Sequence, residues 1–109
     1  MTVDELAGEL NLRFITRGDG EREIGGVYTG DLLSRVMSGC GSGDAWVTVQ
    51  THMNVVSVAE LTDAACVIIP ENIEMNPYTA EKAAERGINL ISSSMTAYDL
   101  CWRLHGILE

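Results

Sequence analysis

The chain has 109 residues, 46% of them hydrophobic and 6% aromatic, with sixteen acidic against seven basic side chains for a net charge of −9. That length supports one core of ordinary size without metals or disulfides, and the charge repels phosphate backbones, which argues against nucleic acid as a partner. No apolar run approaches the length that spans a bilayer, no charged-then-apolar leader precedes the first amphipathic stretch, and the three widely spaced cysteines form a reduced pattern, so the expectation is a cytoplasmic protein with no membrane contact and no cofactor.

Thr2 followed by Glu5 is a capping-box pattern, and Val3, Leu6, Ala7 and Leu10 continue it at helical spacing for about two turns. Leu12 to Thr16 alternates as a short strand and Gly18-Asp19-Gly20 closes it. Glu23 to Tyr28 reads as a second extended segment, interrupted by Gly25-Gly26. A helix is then expected from Thr29 or Asp31 through Leu32, Leu33, Val36 and Met37, ending in the glycine-rich stretch Gly39 to Gly43, which reads as a flexible connection.

Ala45 to Gln50 has the composition of a buried strand, and Asn54 is placed to cap a helix over Val55 to Leu61. Val55-Val56-Ser57-Val58 has strand propensity, but a parallel neighbour needs a crossover here, and a helix is its usual form. Ala64 to Ile69 is a continuous apolar run, the mark of a central strand covered on both faces. Asn76-Pro77 opens a helix carrying Ala80, Ala83 and Ala84 and stopping at Gly87. Ile88 to Ile91 is a last strand, and Thr96 with Asp99 opens a closing helix that buries Ala97, Leu100, Cys101 and Leu104. The fold class that follows is α/β, a single three-layer domain over residues 1–109 with a mostly parallel sheet of about four to five strands flanked by helices.

Parallel strands gather their trailing loops on one rim, and candidate functional residues are sought there. Thr29-Gly30-Asp31 could hold an anion on free helix amides, with the Thr29 hydroxyl adding a bond, or Thr29 or Asp31 could simply cap the helix. Thr51-His52-Met53-Asn54 places one of two histidines at the next such corner, where it is a polar rim residue or a structural one. Glu71, after Pro70, falls on the same rim, as do Ser92 to Ser94. The ligand-binding candidates are therefore Thr29, Gly30, Asp31, Thr51, His52, Asn54 and Glu71. No catalytic set and no metal-ligand spacing is found: Gly39 to Asp44 lacks the lysine and the strand-to-helix order of a phosphate loop, Cys40 has no basic neighbour in sequence, and the three cysteines show no Cys-x-x-Cys and no paired histidine.

The segments Ile24 to Ser34, Gly43 to Val56 and Ile68-Ile69-Pro70-Glu71 resemble the DRTGG domain family over almost the whole chain, although those five letters do not occur here as a contiguous string. Domains of that family are similar to a region beside CBS domains in a class of inorganic pyrophosphatases, to regions of some phosphotransacetylases and to proteins related to the amino-terminal domain of HPr kinase. The resemblance implies an α/β module that dimerises and accompanies regulatory or catalytic domains. The functional expectation is a non-catalytic regulatory or ligand-sensing module acting as a homodimer, with a small anionic metabolite or nucleotide as candidate ligand. The alternatives are a protein that docks on a redox (hydrogenase-like) or metabolic enzyme, with Trp46 and Trp102 as candidate contacts, and a small enzyme using His52 with Thr51 or a serine.

Overall fold

The computed structural model describes residues 1–108. Within them the order is α1 (Val3–Glu9), β1 (Arg13–Thr16), β2 (Gly26–Thr29), α2 (Leu33–Gly39), β3 (Asp44–Val47), α3 (Asn54–Thr62), β4 (Cys66–Ile69), α4 (Pro77–Glu85), β5 (Leu90–Ser92) and α5 (Ala97–Leu108). The five strands form one sheet in the order β1-β5-β4-β3-β2, in which β2, β3, β4 and β5 are parallel and β1 is antiparallel to β5.

Alternation along the strands builds two cores. Ala45, Val47, Cys66, Ile68 and Ile91 face Val3, Leu6 and Leu10 of the first helical segment and Leu100 and Leu104 of α5. Trp46, Val67, Ile69 and Leu90 face Val36 of α2, Val55 to Ala59 of α3 and Ala83 of α4. Three successive crossovers that each step one strand along the sheet keep α2, α3 and α4 on one face, as right-handed connections require. The chain then turns after β5 to lay α5 on the opposite face. The result is the expected three-layer, mostly parallel α/β fold.

Local chemistry explains most of the boundaries. The Thr2 hydroxyl accepts from the Glu5 N–H and the Glu5 carboxylate accepts from the Thr2 N–H, completing the capping box. Asn76 caps α4 through the Tyr78 N–H, with Pro77 in the first turn. Val55 to Val58 is helical despite its β-branched composition, because Val55, Val56, Val58 and Ala59 can bury together on the sheet only at helical spacing.

Four expectations are corrected. The Glu23–Tyr28 segment is a strand only from Gly26, while Glu23 makes an isolated bridge to Thr2. Helix α2 starts at Leu33 with no side-chain cap, so neither Thr29 nor Asp31 caps it. The glycine-rich connection is pinned: the Gly41 N–H donates to the Asp44 carboxylate, the Gly43 N–H donates to the Asp63 carbonyl, and Gly43 has φ +83°, which favours glycine. Trp46 is fully buried, its indole N–H bonded to the Gly30 carbonyl at 2.9 Å, and presents nothing to a partner.

Cys40 and Cys66 are buried, and burial pushes the Cys66 thiol up to about 12 and the Cys40 thiol up as well, so both act as small hydrophobes. No helix among the described residues is long and apolar enough to cross a membrane.

At the end of the sheet away from the parallel strands' carboxyl termini, Asp63 stands in a left-handed C-cap and takes a two-pronged bond from Arg22, at 3.1 and 2.9 Å, and a hydroxyl bond from Ser42. The Arg22 guanidinium first, and the Ser42 hydroxyl second, hold the Asp63 carboxyl at about 2, below its ordinary 3.8. A depressed carboxyl stabilises the fold while it is ionised, so its contribution is present above about pH 4 and fades as pH falls toward 2. Asp63→Asn, which tolerates the same backbone, is expected to lower the thermal midpoint near neutral pH, with the gap from the natural chain closing across that acid window in a pH series of melting curves.

Candidate functional site

The carboxyl ends of β2, β3, β4 and β5 bring four corners to one rim. The first two are sewn together by Asp31. Its Oδ1 accepts from the buried Thr48 hydroxyl at 2.8 Å and from the Val49 N–H at 2.9 Å, while the Gln50 side-chain amide donates to the Asp31 carbonyl at 2.8 Å. The Gly30 N–H donates to the Val47 carbonyl at 3.1 Å. Asp31 is thus a structural acceptor, and its negative charge stands immediately before α2, where it would oppose an anion. Thr29, the last residue of β2, points from the sheet toward α5 and lines a groove of about 370 Å³ shared with Val27, Cys101, Leu104, His105 and Leu108.

At the second corner the Thr51 carbonyl accepts from the fully buried Thr79 hydroxyl of α4 at 2.6 Å, fixing the loop to the helical layer. His52 is exposed, and its Nδ1 accepts from the Asn54 N–H at 3.1 Å. The expected roles are exchanged: Asn54 is the first residue of α3, and His52 supplies the side-chain acceptor for its opening turn. An accepting Nδ1 places the ring proton on Nε2 and turns that N–H outward.

The third corner is Pro70-Glu71-Asn72. Glu71 and Asn72 both have positive φ, 63° and 54°, and their amides donate to the Met95 and Ser93 carbonyls at 2.7 and 2.8 Å. This pairing reaches the fourth corner, Ser92 to Thr96, where the Met95 N–H also donates to the Ser93 hydroxyl and Thr96 caps α5 through the Asp99 N–H. Here the connections diverge. The chain leaving β4 goes to α4 on one face and the chain leaving β5 goes to α5 on the other, the arrangement in which open α/β sheets form a crevice. The Glu71–Met95 and Asn72–Ser93 bonds lace the base of that split.

Antiparallel β1 enters the sheet beside this corner, with Arg13 paired to Ser92. An exposed arginine therefore stands at the rim next to the serines. Arg13, Asn72 and Met95 were not among the sequence candidates. The signal for Arg13 lay in the direction of the first strand, which periodicity does not reveal. The candidates form neighbouring groups rather than a single cavity: Gly30 and Asp31 with Thr48 to Gln50, Thr51 with Thr79, His52 with Asn54, and Glu71 with Met95.

A second cavity of about 290 Å³ lies at the other end of the sheet, lined by Arg22, Glu60, Asp63, Arg86 and Asn89 among others. Arg22 is committed to Asp63, and Arg86 donates to Glu60 at 2.7 Å. Helices α3 and α4 point their carboxyl ends here, so the two guanidiniums act as counter-charges to helix termini and carboxylates.

No protein-family model matches the chain and no curated protein matches it. Among solved structures, it is similar in fold to the CBS and DRTGG domains of the regulatory region of a Clostridium perfringens pyrophosphatase, crystallised with the activator diadenosine tetraphosphate, at a TM-score of 0.69 and 10% sequence identity. The match covers 90% of this chain and 43% of that one, so the chain spans less than half the length of its structural neighbour.

Removing the acceptor that joins the first two corners strands the buried Thr48 hydroxyl and the Val49 amide. Asp31→Ala is expected to cost about 1–3 kcal/mol in urea unfolding, with Asp31→Asn recovering part of the loss because it keeps one oxygen acceptor. Glu71→Gly is expected to have the opposite sign. Relief of the left-handed penalty outweighs the added chain entropy and raises unfolding free energy by about 0.5–1 kcal/mol in the same assay.

Proposed function

We propose that this chain is a non-catalytic regulatory module of the DRTGG type that binds a small anionic ligand, a nucleotide or related phosphorylated metabolite, at the rim, and works as a homodimer. The observation that carries the reading is the row of corners at the carboxyl ends of the parallel strands: Glu71 and Arg13 beside the split between the β4 and β5 connections, Thr51, His52 and Asn54 one strand away after β3, and Thr29 at the far edge on β2. Arg13 supplies the positive charge that an anionic ligand needs in a chain of net charge −9. The Ser94 hydroxyl in the neighbouring corner and the Nε2–H of His52 two strands along the rim are further donors.

The fold likeness to a regulatory region that binds a nucleotide activator supports the ligand class. The hydrogen bonding of His52 supports a non-catalytic role. Its Nδ1 is occupied by a backbone amide, whereas a general base needs that nitrogen held by a group that orients it toward a nucleophile. A second reading, docking on another protein, is favoured by one observation: Trp102 is 67% exposed on α5.

The test is a thermal-shift titration with diadenosine tetraphosphate, mononucleotides and phosphorylated sugars. A ligand at one hundred times its Kd adds roughly 2.7 kcal/mol, which moves the melting temperature of a domain this size by more than about 10 °C. Arg13→Ala and His52→Ala are expected to reduce that shift while leaving the unliganded midpoint within a few degrees, and Thr29→Val is expected to weaken it less. A series in which no anion shifts the midpoint counts against the ligand half of the proposal. Shifts unchanged in all three variants move the site away from the rim.

A further inference from the structure

The two edges of the sheet are built differently. Edge strand β1 carries Arg13 and a register irregularity between Phe14 and Thr16, both of which deter pairing with another chain. Edge strand β2, Gly26-Val27-Tyr28-Thr29, is hydrogen-bonded on one side only, to β3, and has no charge, no proline and an even parallel register along its length. Such an edge is a template for a further strand.

The surface beside it is also uncharged. The groove of about 370 Å³ between β2 and α5 is lined by Gly25, Gly26, Val27, Thr29, Cys101, Leu104, His105 and Leu108, a set without a carboxylate, lysine or arginine in a chain with sixteen acids. Tyr98, Cys101, His105 and Leu108 follow 3-4-3 spacing and so form one row along that flank of α5, and Trp102 stands one turn beyond Tyr98. Tyr98 is 80% and Trp102 67% exposed, and Val27 on the strand is 37% exposed. Tyr98 thus extends the groove's flank of α5, and Trp102 adds an exposed aromatic one turn further on.

We propose that this surface is where a second copy of the chain docks, β2 pairing antiparallel with β2 of its twin about a two-fold axis perpendicular to the sheet. The proposal rests on the homodimer half of the proposed function and assigns its interface. Two chains of net charge −9 repel one another, which favours contact where acids are fewest, and none of the residues lining the β2–α5 groove is an acid. An isologous pair also satisfies the backbone groups of both edges at once. Four paired residues alone bury far less than the roughly 800 Å² per partner of a stable interface. Tyr98 and Trp102 supply much of the difference, since side chains of this kind bury about 150–250 Å² each, and they belong to the residue types enriched at interface cores.

Sedimentation velocity of the full chain across a concentration series tests the assignment, with hydrogen exchange read on the 25–31 segment. The natural chain is expected to sediment as a dimer, with exchange at 25–31 slowing as concentration rises. Val27→Lys, at a partly exposed position, is expected to raise the dimer dissociation constant about tenfold or more. Trp102→Ala should weaken the dimer in the same direction, and Tyr78→Ala, on α4 across the sheet, should leave it unchanged. If Val27→Lys fails to fold, the concentration dependence of exchange in the natural chain decides. A dimer indifferent to Val27→Lys and Trp102→Ala, or one with no protection at 25–31, overturns the interface and leaves the homodimer standing. A natural chain that stays monomeric to its solubility limit overturns both.

Discussion

Strand β4 is buried on both faces, and the architecture is arranged around that fact. Cys66, Val67, Ile68 and Ile69 are each no more than 1% exposed, and their side chains alternate between two separate cores. Burial of residues of this kind contributes about 1.5–3 kcal/mol per side chain, so helices are required on both sides of the sheet. Three of them come from successive crossovers on one face. The other face is covered by α1 together with α5, and α5 reaches it because the chain changes sides after β5, a change that opens the split at the rim between the β4 and β5 corners. The location of the candidate site thus follows from the need to cover one strand twice.

The rim shows how an acidic chain uses its charges. Asp31 is an acceptor for a buried hydroxyl and a neighbouring amide, a role that holds two corners in register and removes it from direct anion binding. Arg17, Arg22 and Arg86 are likewise committed, to Asp4, Asp63 and Glu60. Arg13 is different because it stands beside Ser92 at the rim, where the β5 connection departs. The polar groups left at the rim then include the Arg13 guanidinium, an imidazole N–H and several hydroxyls on a frame fixed by backbone hydrogen bonds.

Much of the frame was legible in the residues. Thr2 and Glu5, Asn76 and Pro77, and the run from Ala64 to Ile69 each carry a local signal that tertiary packing reinforces, and the adjacency of the corners after β2, β3 and β4 followed from the strand-turn-helix rhythm. The side-chain roles at those corners were less legible. Asn54 and His52 compete to supply the acceptor for the first turn of α3, and the outcome depends on the α-region backbone of Met53. Asp31 has better acceptor geometry toward Thr48 and Val49, seventeen and eighteen residues away, than toward its own helix. The importance of Arg13 depends on β1 running opposite to its neighbour, a matter of long-range pairing that hydrophobic periodicity does not encode.

That antiparallel strand also makes the most distant pairing in the sheet. Strands β2 to β5 come together through crossovers between chain neighbours, whereas β1 meets β5 across a long loop, the Thr16 hydroxyl reaching the Ile88 carbonyl 72 residues along the chain. Closing so long a loop is entropically costly and becomes favourable only once the strand that receives it exists. The parallel strands are joined by shorter crossovers than the one that brings β1 to β5, so the Arg13 corner of the rim is complete only when the most distant pairing in the sheet has formed.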